Sequence, residues 1–130
     1  MNPFRMAFAF AGVLLVSPSM PEDHTASFRA DAHQGAGAVV IVAAGELDLV
    51  GAPRLLQALP MEGADPVVLD LGAVQFMDSS GLRSLLEARQ ACIDAGRSFA
   101  IARPSAAVSR VLELVDLSGE FEVVDLPALS

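Results

Sequence analysis

An acid, two hydroxyls and a glycine follow one another at Asp78-Ser79-Ser80-Gly81. They stand between an apolar stretch at 67–71 and a long amphipathic segment, which predicts that they begin a helix. The first N–H groups of a helix have no partner inside it, and the helix dipole is positive there. A serine at this position can lie beside a phosphate or accept one, and the glycine would let another molecule approach. The alternative is a purely structural role, in which Asp78 or Ser79 caps the helix and Gly81 is a turn residue.

A second polar cluster, Gly45-Glu46-Leu47-Asp48, follows the β-branched stretch 38–44, which predicts a buried strand. Functional residues of open α/β sheets usually lie beyond the carboxyl ends of strands, where both clusters stand. Glu46 and Asp48 have the groups for acid–base chemistry. The simpler interpretation is that they end the strand and cap the next helix.

The chain lacks the residues that common catalytic sites need. It has no lysine, so it cannot form the phosphate-binding loop of P-loop NTPases. The segment at 78–81 lacks the first glycine of the Gly-x-Ser-x-Gly turn of serine hydrolases. Both histidines, His24 and His33, lie in the polar N-terminal part, so a hydrolase that uses Ser80 would lack a base. We therefore expect no enzyme activity, no metal site, no cofactor and no small-molecule substrate.

Composition narrows the class of partner. The 130 residues include 16 acidic and 8 basic side chains, a net charge of −8. This balance argues against direct nucleic-acid binding, which needs clustered positive charge, and suits a protein partner with a basic surface. The single cysteine, Cys92, excludes an internal disulfide and falls on the apolar side of a predicted helix, so we expect it to be buried.

Apolar periodicity and glycine or proline breaks divide the chain into alternating elements. They predict strands at 26–32, 38–44, 67–71, 98–102 and 121–125, and helices at 53–59, 79–95 and from Ser105, its cap, to before Gly119. Residues 72–75 are predicted as a loop that leads into Phe76 and Met77. This order indicates a single α/β domain with a mixed sheet of four to five strands and three to four helices, parallel in its centre and antiparallel near the N-terminus.

The N-terminal part has a different character. Residues 1–20 form an apolar leader, in which Met6–Val16 is uninterrupted and follows Arg5. Three interpretations stay open: an export signal, a translation start that really lies at Met20, or a membrane-anchoring extension. Residues 21–37 form a polar lead-in with the possible first strand.

Two stretches together resemble the STAS domain family, and within it the bacterial anti-sigma factor antagonists. They are VVIVAAGELDLVGAPRLLQAL at 39–59 and VVLDLGAVQFMDSSGLRSLLEARQAC at 67–92, and the likeness continues over 99–125. The resemblance implies a STAS domain over 26–126 and a cytoplasmic partner-switching role. The unphosphorylated protein would bind an anti-sigma factor that is a GHKL-type serine kinase and so release a sigma factor. Phosphorylation would end the binding, and a phosphatase would restore it.

The resemblance also assigns roles to residues. It implies phosphorylation of Ser80, with Ser79 as the near alternative, and contact with the partner through Glu46, Asp48, Asp78, Gly81, Leu82 and Arg83. Arg83 stands where some relatives have a small or apolar residue. The alternative function is a constitutive STAS scaffold, an accessory subunit of a transporter or signalling complex, in which the serines only cap the helix.

Overall fold

The computed structural model describes residues 28–126 of the chain. Strands and helices alternate as the sequence predicts. In chain order they are β1 Phe28–Gln34, β2 Val39–Leu47, α1 Gly51–Ala58, β3 Val67–Met77, α2 Ser79–Asp94, β4 Phe99–Ala102 and α3 Ala106–Leu114.

The four strands form one mixed sheet in the order β1-β2-β3-β4. β1 is antiparallel to β2, whereas β2, β3 and β4 are parallel. The predicted fold class is therefore confirmed. The parallel arrangement also brings the carboxyl ends of β2 and β3 to the same edge, where Leu47 pairs with Met77.

One sheet face, here called the helix face, carries the main core. Alternate strand residues such as Ile41, Leu69 and Ile101 point to this side, because successive side chains of a strand alternate between faces. The helices contribute apolar residues at helical spacing, among them Leu55, Leu85, Ala88, Val108 and Leu112. Cys92 belongs to the same cluster, which confirms its predicted burial.

The opposite sheet face, here called the rear face, carries a smaller apolar cluster of Ala38, Val68 and Ala102, against which Val124 packs. A charged pair lies beside it. Asp70 is 3% exposed, and the guanidinium of Arg103 contacts both carboxylate oxygens at 3.1 and 3.0 Å. The N–H of Gly72 donates to the same carboxylate, at 3.0 Å. Asp70 is thus a buried carboxylate whose charge has a fixed partner.

The predicted loop at 72–75 is wrong, because β3 continues through these residues to Met77. Val74 and Met77 are buried in the core and pair with β2, and two register shifts absorb the irregular spacing of the apolar residues. The predicted end of β2 at Gly45 is wrong for the same reason, since pairing extends to Leu47.

Other boundaries differ less. α1 begins at Gly51, before the expected start at Pro53, and α3 ends at Leu114, well before Gly119. Ser105 caps α3 as predicted, because its hydroxyl accepts from the N–H of Val108 at 3.2 Å. The predicted last strand is reduced to one isolated parallel bridge between Ile101 and Val123.

Residues 1–27 and 127–130 lie outside the described part of the chain. The predicted leader at 1–20 and the first part of the predicted lead-in are therefore not described. The same holds for residues 26 and 27, with which the predicted first strand and the predicted domain begin. Within 28–126, no helix has the length and hydropathy needed to cross a bilayer.

Candidate functional site

The N-terminus of α2 is capped by Asp78. This residue is extended, and its Oδ1 accepts from the N–H of Gly81 at 3.0 Å. Its carbonyl accepts the first helical bond, from the N–H of Leu82 at 2.9 Å. The structure therefore gives the cap to Asp78 and leaves Ser79 and Ser80 as the first two residues of the helix.

The two serine hydroxyls have no hydrogen-bond partner among residues 28–126. Ser79 is exposed and Ser80 is half-buried. By contrast, the nearby hydroxyl of Ser84 is buried and donates to the carbonyl of Gly81 at 2.7 Å. Ser79 and Ser80 can thus be modified without breaking an internal hydrogen bond, whereas Ser84 cannot.

The second predicted cluster forms the turn between β2 and α1. The Oδ1 atom of Asp48 accepts from the N–H groups of Val50 and Gly51, at 3.1 and 3.0 Å. Asp48 therefore supports the start of α1, as the simpler interpretation expects. Glu46 is exposed at the end of β2.

The two clusters are joined through the backbone of β2. The N–H of Asp78 donates to the carbonyl of Leu47 at 3.4 Å. A Cβ atom on Gly81 would collide with that carbonyl and would lie 2.8 Å from the Met77 Cγ. Gly51 is similarly placed at the start of α1, where a Cβ atom would lie 2.6 Å from the carbonyl oxygen of Glu46. Both helices therefore begin in direct contact with the end of β2.

This packing corrects one interpretation from the sequence. Gly81 is buried beneath Leu47, so its missing side chain makes room for the protein's own strand and not for another molecule. Leu82 is half-buried and packs against the main core. Of the residues predicted to contact a partner protein, Glu46, Asp48, Asp78 and Arg83 are accessible to solvent at this edge. The two serines, which were predicted as phosphorylation sites, are accessible there as well.

A groove of about 240 Å³ lies between α1 and α2. Its α1 side is apolar, formed by Leu49, Ala52, Pro53 and Leu56, and its α2 side is polar, formed by Ser80, Arg83, Ser84 and Glu87. Arg83 and Glu87 approach each other to 3.6 Å, but both are well exposed, so their pairing contributes little to stability. Ser80 lines this groove, and Ser79 does not.

Large exposed apolar side chains stand on the same loops. Leu49 and Val50, in the turn before α1, are 74% and 61% exposed, and Phe76, two residues before Asp78, is 47% exposed. Apolar surface of this kind next to polar groups is typical of protein-binding sites. The sequence analysis did not identify these three residues. A signal was present for Leu49 and Val50, because they are apolar but belong neither to the preceding strand nor to the apolar side of α1.

Within residues 28–126 no group of three or more His, Cys, Asp or Glu side chains is placed to hold a metal ion. His33 pairs with Val40, seven residues along β2 from Leu47. At about 3.3 Å per residue it lies roughly 23 Å from the edge that carries Ser80. His33 is therefore too distant to act as a base for that hydroxyl.

Comparison with known proteins identifies relatives of this arrangement. The STAS domain family profile matches residues 28–126. An anti-sigma factor antagonist from Mycobacterium paratuberculosis is 28% identical, with a TM-score of 0.66 over 77% of this chain and 87% of that chain. The anti-sigma factor antagonist SpoIIAA, in its unphosphorylated form, is 20% identical, with a TM-score of 0.57 over 75% of this chain and 87% of that one.

The fold also occurs inside a much larger protein. The murine Slc26a9 anion transporter is 15% identical, with a TM-score of 0.58 over 98% of this chain and 24% of the transporter. No curated protein sequence matches the chain.

Proposed function

The chain belongs to the STAS domain family, and on that basis we propose that it is an anti-sigma factor antagonist whose binding is controlled by phosphorylation of Ser80. The observation that carries the proposal is the position of Ser80. Its unengaged hydroxyl lines the α1–α2 groove, beside exposed Leu49 and at the capped start of α2. The likeness to the mycobacterial anti-sigma factor antagonist supports the assignment of the partner class.

The docking surface consists of the groove and the exposed apolar residues Leu49, Val50 and Phe76. Its charged groups are mostly acidic, with Glu46, Asp48 and Asp78 on the two adjoining loops. A partner that covers this edge would be an anti-sigma factor with an apolar contact patch bordered by basic side chains. That partner is also the serine kinase that modifies Ser80, and a phosphatase reverses the modification. Binding in the cytoplasm releases the sigma factor.

Phosphorylation would act through charge. A phosphoserine adds about −1.5 to −2 charges, here beside three carboxylates of the same edge. The first N–H groups of α2 and the helix dipole would accommodate the phosphate, so the modified protein keeps its fold. The partner would meet a new desolvated charge where it had met a neutral hydroxyl. A penalty of about 2.8 kcal/mol weakens binding about 100-fold.

The test uses the purified full-length protein, the anti-sigma kinase of its own genome and ATP. Mass spectrometry should locate phosphate on Ser80, and titration calorimetry should show a Kd about 100-fold larger for the phosphorylated form than for the unmodified one. Ser80→Ala should bind without being released by ATP. Ser118→Ala, at an exposed position in the segment after α3, is the matched control and should cycle normally.

Other outcomes separate the alternatives. Phosphate on Ser79 with loss of binding would move the acceptor by one residue and keep the mechanism. A double Ser79→Ala, Ser80→Ala variant that still releases its partner in response to ATP would refute the phosphoswitch. Binding that ignores ATP altogether would favour the constitutive scaffold.

A further inference from the structure

A cavity of about 480 Å³ lies where the start of β1 meets α1 and the carboxyl-terminal parts of β2 and β3. Its lining includes Arg29, Ala44, Gly45, Arg54, Ala73 and Gln75. None of these residues belongs to the docking surface. The described residues that line the cavity include two basic side chains and no acidic one, although the whole chain has 16 acidic side chains against 8 basic ones.

The sheet supplies a floor of small residues beside Arg29. Arg29 pairs with Ala44 across β1 and β2, and Ala44 pairs with Ala73 across β2 and β3, so the three residues form one row. The residues that precede them, Phe28 and Ala43, belong to the core on the helix face. Because side chains alternate along a strand, Arg29 and Ala44 lie on the rear face. The two alanines leave open the space that larger side chains would fill.

The two arginines of the cavity have unused hydrogen-bond donors. The guanidinium of Arg29 has no hydrogen bond or ion pair within residues 28–126. That of Arg54 makes one bond to this part of the chain, in which Nη1 donates to the carbonyl of Phe28 at 3.1 Å. This bond holds Arg54 against the backbone of β1, next to Arg29. By contrast, carboxylates or backbone carbonyls contact Arg83, Arg89, Arg97 and Arg103.

We propose that Arg29 and Arg54 bind the phosphate group of a small organic phosphate monoester. A guanidinium presents its N–H groups in a planar fork that matches phosphate oxygens, and hydrogen bonds between charged groups are among the strongest in proteins. Two arginines balance the charge of a phosphate monoester, about −1.5 to −2 at neutral pH, whereas a monocarboxylate would balance only one of them. The cavity has the size of small-molecule sites, so there is room for the organic part of the ligand, and the exposed amide of Gln75 can bond to it.

NMR titration of the full-length, unphosphorylated protein with glycerol 3-phosphate tests the proposal. Saturable shifts are expected in the Nε–H signals of Arg29 and Arg54 and in the backbone amides of Gly45 and Ala73. Glycerol, which lacks the phosphate, should shift none of these signals. The proposal is refuted if no saturable shift occurs with glycerol 3-phosphate up to about 10 mM. Succinate that binds as tightly would overturn the preference for phosphate, and inorganic phosphate that binds as tightly would overturn the organic ligand.

Full-length variants locate the binding. Arg29→Gln and Arg54→Gln should each raise the Kd for glycerol 3-phosphate about tenfold or more, the loss expected for a charged hydrogen bond. Arg110→Gln is the matched control, because Arg110 is an exposed arginine of α3 outside the cavity and has no pairing contact within residues 28–126. It should leave the Kd unchanged. An equal loss in all three variants would show non-specific attraction and overturn the proposal, as would a Kd that neither cavity variant changes. Far-UV circular dichroism checks that each variant keeps its fold.

Discussion

Replacing Gly81 with alanine is expected to destabilise the fold, although alanine is the better helix former. The new Cβ would collide with the backbone carbonyl of Leu47 and would lie 2.8 and 2.9 Å from carbon atoms of Met77 and Leu47. A side chain can rotate away, but the carbonyl belongs to a strand paired on both sides. Relief therefore requires α2 to move relative to β2.

The magnitude follows from two opposing effects. Overpacking of a buried position costs about 1–3 kcal/mol and occasionally more, and the carbonyl contact places this site at the upper end. Alanine returns up to about 1 kcal/mol of helix propensity relative to glycine. The expected net loss is about 2 kcal/mol.

Urea unfolding followed by far-UV circular dichroism measures the effect, since the chain has no Trp or Tyr for fluorescence. With a slope of about 1–3 kcal/mol per M, the midpoint should fall by about 1 M. Gly119→Ala is the matched control, because a Cβ there meets nothing within 4 Å, and it should shift stability by less than about 0.5 kcal/mol. Equal midpoints for Gly81→Ala and the wild type would refute the assigned packing role.

Three further changes test other contacts. Arg103→Met removes the cation that contacts both oxygens of the buried Asp70 carboxylate and should lower the urea midpoint; a midpoint equal to that of the wild type would contradict a stabilising ion pair. Burial raises the pKa of the Cys92 thiol, against a smaller opposing effect of Arg97. Above the ordinary thiol pKa the unfolded chain therefore ionises first, so stability should fall from about pH 8.5 upwards, a slope that Cys92→Ala should reduce. Arg97→Met removes donors to the carbonyls of residues 62, 63 and 65, and hydrogen exchange in this loop should accelerate while exchange in β3 does not change.

Much of the fold could be predicted because local patterns and tertiary structure agree. The β-branched stretch at 38–44 and the apolar stretch at 67–71 lie in β2 and β3, and glycine and proline mark the breaks between elements. The predictions failed where tertiary pairing overrides local pattern. Residues 72–77 have no regular alternation, yet they extend β3 because Val74 and Met77 reach the core through bulges.

The site shows the same limit. The sequence indicated that 45–48 and 78–81 both follow strands, and the parallel register brings them together. It could not distinguish a glycine that admits a partner from one that admits a neighbouring strand, because both need the same absent side chain. The exposure of Leu49, Val50 and Phe76 depends on how the loops leave the sheet, which no local pattern encodes.

The cap on α2 has a consequence for how this surface can change over time. Because the side chain of Asp78 caps the helix, the hydroxyls of the two serines after it are not needed to stabilise the helix start. Under the proposed function, substitution there by threonine, alanine or an acid would alter the response to phosphorylation while leaving the fold intact. In that proposal the regulatory residues and the residue that caps the helix are adjacent but separate, so the regulatory residues can change during evolution without destabilising the fold.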